Sequence, residues 1–139
     1  LRLGYAVTGN EQIIRTVREK QNPWTVSSVA DLAGRLLFSD EDYIRQTKEL
    51  IFTERRRICE ALSRMEGIRF YPPAANFILV HILKEDLSAD KLFDKAIRQG
   101  LMIRNCSTFP FLDHTYFRFC FMNPQDNDRL LQCISEFLL

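Results

Sequence analysis

Hydrophobic positions follow two rhythms along this chain. Up to Gly67 they recur every three or four residues, as in helices with one buried stripe. Beyond it, runs that alternate or stay continuously apolar dominate, as in strands. The first eight residues, Leu1–Thr8, read as a strand ending at Gly9. Asn10 is a helix-capping type, and Ile13, Ile14 and Val17 stripe a first helix that Asn22-Pro23 breaks. Ser27 or Ser28 caps a second helix carrying Val29, Leu32, Ala33, Leu36 and Leu37. Ser39-Asp40-Glu41-Asp42 resembles a capping box and opens a long helix striped by Tyr43, Ile44, Leu50, Ile51, Ile58, Leu62 and Met65, with Gly67 as its stop.

The second half predicts a short strand at Ile68–Tyr71, interrupted by Pro72-Pro73, and a stronger one at Asn76–Ile82. Ser88 caps a helix with Leu92, Phe93, Ala96 and Ile97, which Gly100 closes. Leu101–Cys106 and Tyr116–Met122 are strands on either side of a loop at Phe109–Asp113. Asn123-Pro124 is a cap followed by Pro at the first helical position, opening a last helix with Leu130, Leu131, Ile134, Phe137 and Leu138. The expected order is a strand, three helices and then β-α-β-β-α. That makes an α/β chain whose second part is an α+β domain, a small sheet packed against helices, reached through the long helix. Residues 1–40 and 41–139 are the expected parts.

The chain has 139 residues, 46% of them hydrophobic, enough for one compact core. Its 19 basic and 18 acidic residues leave a net charge of +1, no electrostatic case for nucleic acid or an anionic membrane surface. No apolar run approaches the roughly 18–20 residues of a membrane span. Cys59, Cys106, Cys120 and Cys133 form no C-x-x-C, and His81 and His114 add no metal-ligand spacing, so reduced thiols and no metal are expected. Cys106 stands near Arg104, which keeps a reactive thiolate as the alternative. The run Arg55-Arg56-Arg57 spreads around its helix and reads as a solvated face with an ion pair.

Two arginines lie inside runs that otherwise read as buried strands: Leu101-Met102-Ile103-Arg104 and Tyr116-Phe117-Arg118-Phe119-Cys120-Phe121. A guanidinium stays charged at any working pH and is costly to bury without an anionic partner. Alternation sends Phe117, Phe119 and Phe121 to one face of their strand and Arg118 to the other, with Tyr116 and Cys120. Arg118 is either paired with an acidic residue across a sheet edge or aimed at a ligand. Arg104 on a neighbouring strand favours the ligand, one with two anionic groups, since guanidinium forks match carboxylates and phosphates. Asn76, after Pro72-Pro73-Ala74-Ala75, either orients a ligand or satisfies turn backbone groups. No Gly-rich phosphate loop, nucleophile elbow or zinc motif is present, and each of Lys20, Lys48, Lys84, Lys91 and Lys95 falls on a helix or exposed turn. The residues alone describe a chain that holds an anion and has no evident means of transforming it.

Five segments, in order, resemble the C-terminal part of a fold-type I pyridoxal-phosphate enzyme of the class I and II aminotransferase group. They are Leu1-Arg2-Leu3-Gly4-Tyr5, Asn22-Pro23-Trp24-Thr25-Val26-Ser27-Ser28, Ala75-Asn76-Phe77-Ile78-Leu79-Val80, Ile103-Arg104-Asn105-Cys106-Ser107 and Tyr116-Phe117-Arg118. Within the group, threonine-phosphate decarboxylases of cobalamin biosynthesis and histidinol-phosphate aminotransferases stand out. The run Arg104–Asp113 is more similar to the decarboxylases, which often carry Gly where Phe111 stands and an acidic residue where Asn105 stands.

The resemblance implies a C-terminal domain of the pyridoxal-phosphate-dependent transferase fold, opening on the tail of the large cofactor-binding domain. It implies Arg2 on the cofactor phosphate, Arg104 on the substrate phosphate, Arg118 on the α-carboxylate and Asn76 lining the site. The catalytic lysine and the residues that hold the pyridine ring would lie before residue 1, leaving no catalytic residue in this chain. The first residues run into an apolar stretch without a Met, and the chain is expected to be the C-terminal piece of something longer. The whole would be a cytoplasmic homodimer acting on a phosphorylated amino acid or amine, and the piece alone inactive. The alternative of another class is a non-catalytic module that captures an acidic metabolite.

Overall fold

The computed structural model describes residues 3–139. The chain divides into two compact units, Leu1–Gln46 and Thr47–Leu139, with the boundary inside the longest helix.

The first unit holds α1 (Glu11–Lys20), α2 (Ser28–Ser39) and the opening of α3 (Glu41–Ser63). Each begins where a short polar side chain satisfies amide groups that the first turn leaves unpaired. Asn10 Oδ1 accepts from the N–H groups of Gln12 and Ile13, at 3.0 and 3.2 Å. Ser27 Oγ accepts from Ala30 at 3.2 Å, and Asp40 Oδ1 accepts from Tyr43 at 2.9 Å. Asp40, not Ser39, therefore caps α3; the Ser39 hydroxyl instead donates back to the Leu36 carbonyl. The expected strand at Leu1–Thr8 is absent among the described residues. A strand needs a hydrogen-bonding neighbour, and among the described residues no strand pairs with this segment. Leu3 packs against Gly34, where a Cβ would collide with it, and the Tyr5 ring meets the Phe38 ring edge-on at 5.8 Å. The expected apolar stripes are present but uncovered: α1 buries no residue, and Val29, Leu32, Leu36 and Leu37 of α2 are exposed.

The second unit is built on a four-stranded antiparallel sheet of order β1-β2-β4-β3: β1 (Ile68–Tyr71), β2 (Phe77–Ile82), β4 (Tyr116–Cys120) and β3 (Arg104–Asn105). Helices α3, α4 (Ala89–Ile97) and α5 (Pro124–Leu138) supply the rest of its core. Pro72-Pro73 does not merely interrupt one strand. It lies in the turn of a β1–β2 hairpin, in register from Ile68 opposite Ile82 to Tyr71 opposite Leu79. The order is thus β-β-α-β-β-α, with the two expected runs Ile68–Tyr71 and Asn76–Ile82 forming separate, paired strands.

The expected strand at Leu101–Cys106 contracts to two residues. Burial alternates at its start, with Leu101 and Ile103 inside, and breaks before the buried Cys106. The Leu101 N–H, however, is committed to the Ala96 carbonyl at 3.0 Å and the Gly100 N–H to Ile97 at 3.0 Å. With Gly100 at φ +75°, this is a Schellman close that ties the start of the segment to α4 rather than to β4.

Alternation decides the two faces of the sheet. Ile78, Val80 and Ile82 of β2 and Phe117 and Phe119 of β4 point inward onto Ile58 and Leu62 of α3, Leu92 and Ala96 of α4, and Leu130 and Ile134 of α5. Burial of side chains of this size is worth roughly 1.5–3 kcal/mol each, the main driving force for the unit.

One polar joint crosses this core. Glu54 of α3 and Asn127 of α5 are both buried. Asn127 Nδ2 donates to Glu54 Oε2 at 2.6 Å and to the Met122 carbonyl at 2.8 Å, while its Oδ1 accepts from the Met122 N–H at 3.0 Å. Arg57 donates to both Glu54 oxygens, at 3.1 and 2.6 Å, and also pairs with Asp128. Of the Arg55-Arg56-Arg57 run, Arg57 therefore makes two ion pairs, linking α3 to α5 as well as to its own turn.

Hydrogen bonds from Arg57 hold the Glu54 carboxyl below the usual carboxylate range; burial opposes this, and the Asn127 amide adds to it. A carboxyl whose pKa is lower folded than unfolded stabilises the fold fully above its unfolded value, and that contribution disappears as pH falls through the folded one. Unfolding titrations in urea should show stability falling below about pH 4.5, with a weaker fall in Glu54→Gln. Asn127→Ala should cost about 1–3 kcal/mol at neutral pH, because it leaves the Met122 N–H and carbonyl without their Asn127 partner and removes one of the two donors to Glu54 Oε2. A loss under about 0.5 kcal/mol in the same titration would show that the joint is not structural.

Candidate functional site

The outward face of the sheet carries the charge. Arg104 of β3 and Arg118 of β4 are direct partners across the strands, so their side chains leave the sheet on the same side. This follows from packing: Phe117 and Phe119 must enter the core, and Arg118 between them cannot. Arg118 is half-buried and Arg104 exposed.

Like charges directly opposite one another weaken a sheet by a few tenths to about 1 kcal/mol. Among the described residues no carboxylate forms an ion pair with either guanidinium. The acidic partner across a sheet edge, one of the two readings of Arg118, is not there. Aromatic rings take its place. Arg118 Cζ lies over the Phe77 ring at 5.0 Å and the Phe109 ring at 5.2 Å from the centroids. Arg104 Cζ lies over the same Phe109 ring at 5.8 Å, and one of its amino groups reaches Thr108 Oγ1 at 3.3 Å. A planar cation over a ring face keeps its edge N–H donors available to an anion. Chemically, the pair offers forked donors for two anionic groups.

The loop Cys106–Thr115 positions the shared ring. Its ends are pinned by Cys106 N–H on the Tyr116 carbonyl at 2.9 Å and Tyr116 N–H on the Asp113 carbonyl at 3.2 Å. Phe109 itself is held from both sides: its N–H donates to Cys106 at 2.9 Å and its carbonyl accepts from Leu112 at 3.2 Å. At the tip, Phe111 has φ +68° and a fully exposed ring. A bulky L residue is strained there, at a cost of order 1–3 kcal/mol. Asp113 receives the Thr115 hydroxyl and N–H, which hold its carboxyl below the usual range.

The other sequence candidates fall elsewhere. Asn76 sits just before β2, exposed, with its carbonyl accepting from Phe121 N–H at 2.9 Å. By strand alternation it is off the face that Phe77 and Arg118 share. Arg2 lies outside the described residues. Cys106 is buried, and burial pushes its thiol pKa up against the opposing pull of Arg118 and Arg104, so it is not an activated thiolate. No cluster of metal-ligating side chains occurs among the described residues. Lys84 bonds the Leu138 carbonyl, Lys91 the Asp86 carbonyl and Lys95 pairs with Glu136; no lysine of β1 to β4 exists to face the arginines. Sequence reading passed over Phe77, Phe109 and Thr108. Phe77 stood only within the Ala75–Val80 segment, and Thr108 and Phe109 only within the Arg104–Asp113 run; setting them against the arginines requires the register and the loop path.

Next along the face, His81 stacks on Tyr116 at 4.1 Å and Tyr116 on Tyr71 at 6.4 Å. The hydrogen bond with Tyr71 raises the Tyr116 pKa, with burial adding to it.

Two stability measurements check this description. Arg104→Gln should leave the urea midpoint unchanged or raise stability by up to about 1 kcal/mol, since it removes a like-charge pair; a loss above about 1 kcal/mol would reveal a structural ion pair. Phe111→Gly should stabilise by about 1 kcal/mol, because the strain is relieved and no buried contact is lost. A destabilised Phe111→Gly chain would show that the ring contributes to folding.

The sequence model of the class I and II aminotransferases matches residues 1–134. The chain is 30% identical to a threonine-phosphate decarboxylase of Salmonella typhimurium over 138 residues, which is 99% of this chain and 37% of that protein. It is 32% identical to histidinol-phosphate aminotransferase 2 of Archaeoglobus fulgidus, covering 98% of this chain and 38% of that one. Its fold superposes on the histidinol-phosphate aminotransferase of Clostridium acetobutylicum with a TM-score of 0.81 and 31% identity, over 94% of this chain and 39% of that structure. The chain thus spans little more than a third of the length of these relatives, and over that span it is a member of the class I and II aminotransferase family.

Proposed function

We propose that this chain supplies the substrate-anion site of a pyridoxal-phosphate-dependent enzyme acting on a phosphorylated amino acid or amine, of the threonine-phosphate decarboxylase kind. The observation that carries the proposal is the pair of arginines opposite each other on one sheet face, with no carboxylate paired to either among the described residues. Two guanidiniums at one place suit a substrate that carries both a carboxylate and a phosphate. Arg118, recessed between two rings, takes the α-carboxylate. Arg104, exposed and beside the Thr108 hydroxyl, takes the phosphate. Arg2 takes the cofactor phosphate; Asn76, just before β2 and off the arginine face, has no part in this arrangement.

Pyridoxal phosphate, when bound, serves as an electron sink for bonds at the substrate Cα. No lysine lies in the strands of the arginine face, so the described residues suit the anions of the substrate and not the covalent attachment of the cofactor. Arg118 alone does not choose which bond breaks; the angle at which the carboxylate is held does. Holding the carboxylate near the conjugated plane favours loss of the Cα proton, and turning it out of that plane favours loss of carbon dioxide. The second reading is a histidinol-phosphate aminotransferase, supported by the similarity to the Clostridium acetobutylicum structure. For a histidinol-phosphate substrate, Arg118 would serve the carboxylate of the second substrate.

In this reading residues 1–40 end the large domain and residues 41–139 form the small one. The uncovered apolar faces of α1 and α2 support it, because a larger body would bury them. The whole is a cytoplasmic homodimer, and this chain alone is inactive. No helix of the described residues is long and apolar enough to cross a membrane.

The test uses the complete protein that carries this chain, loaded with pyridoxal phosphate. Offered L-threonine O-3-phosphate, it should release carbon dioxide. Glutamate formed from 2-oxoglutarate with histidinol phosphate would instead establish the aminotransferase. Turnover of neither would overturn the substrate class. Arg104→Ala should raise KM for the phosphorylated substrate about 10–100-fold, the worth of a charge-assisted hydrogen bond. Equal losses for phosphorylated and unphosphorylated amino acids would remove Arg104 from the phosphate role.

A further inference from the structure

The arginine face raises a problem that family membership does not answer. A half-buried guanidinium is usually oriented by a carboxylate, and Arg118 has none among the described residues. Long arginine side chains left unheld sample many rotamers, and a ligand that binds must order them. A permanent carboxylate would cure the disorder and also compete with the incoming anion.

Phe109 resolves both requirements. Its ring lies against Arg118 at 5.2 Å and against Arg104 at 5.8 Å, so one side chain touches both cations. Phe77 approaches Arg118 alone, at 5.0 Å. The quadrupole of a ring attracts a cation at its face without using up an N–H donor. The Phe109 backbone is bonded on both sides, to Cys106 and to Leu112, and is followed by Pro110, which narrows its conformation further. The ring is only about a third exposed, at 36%.

We propose that Phe109 is a positioning residue that pre-orders both arginines for an anionic ligand, with Phe77 as a second wall for Arg118 only. The inference rests on the reading of this face as an anion site, and it makes the loop Cys106–Thr115 the element that sets the spacing of the two guanidiniums. Aromatic character at position 109 is therefore a determinant of affinity for a doubly anionic ligand, although the ring itself need not touch the anion.

The test is a titration of the full 139-residue chain with inorganic phosphate, followed on the Nε–Hε signals of Arg104 and Arg118 by NMR. In the wild type both signals should move with one saturable curve. Phe109→Leu keeps an apolar side chain and removes the quadrupole. Before any phosphate is added, it should shift and broaden both arginine signals, and it should weaken phosphate binding roughly two- to five-fold. Phe109→Tyr should restore both. Phe77→Leu should disturb the Arg118 signal and leave Arg104 in place. Core amide signals from Phe117 and Phe119 report that each variant is folded. Absence of a saturable shift in the wild type overturns the anion-site reading itself. Saturable wild-type binding with unchanged signals and affinity in Phe109→Leu overturns the positioning role alone.

Discussion

The two-residue period of β4 is the constraint on which both the core and the site of this chain depend. Phe117 and Phe119 fill the space between the sheet and its helices, and a strand that buries them must turn Arg118 the other way. A slip of one residue in pairing would put a guanidinium into the core and two phenylalanines into water, so the register is strongly enforced. The same register sets Arg104 opposite Arg118. Core packing thus does more than stabilise the sheet: it presents two like charges side by side on the far face, where aromatic rings and not acids accompany them.

A polar joint holds the helices that make this possible. The Asn127 amide closes the turn between β4 and α5 through Met122 and reaches across to Glu54 on α3. Because Asn127 and Glu54 are buried and mutually bonded, small displacements of α5 relative to α3 would leave groups unsatisfied in a medium where that is expensive. The joint holds the turn that follows β4 against α3 and α5. Strain is concentrated instead in the loop that carries Phe109, at Phe111. An exposed, strained aromatic beside a rigidly held one separates two jobs within ten residues of chain: one ring supports the cations, the other projects freely into solvent.

Much of this organisation was readable along the chain, because it rests on local signals. The caps at Asn10, Ser27, Ser88 and Asn123 are short polar side chains next to apolar stripes, and their bonds reach only two or three residues on. The opposition of Arg118 to Phe117 and Phe119 is a property of strand geometry. The expected strand at Leu1–Thr8 failed for the opposite reason: an apolar run has strand character, but a strand forms only beside a partner. Leu101–Cys106 shrank because its first amide was already bonded to the end of α4. Resemblance to the aminotransferase family was carried by short motifs whose order survives without knowledge of their contacts.

The amino-acid sequence by itself determined the helices and their starts, the inward face of β4, the family, and the presence of two arginines inside strand-like runs. These follow from periodicity and from chemistry that each residue carries with it. Only the tertiary structure decided that β1 and β2 form a hairpin, that Arg104 and Arg118 are direct partners, that no acidic residue answers them among the described residues, and that Phe109 and Phe77 stand in its place. Those facts depend on strand register and loop path, which join residues far apart in sequence and are settled by which packing buries the most apolar surface without stranding a polar group.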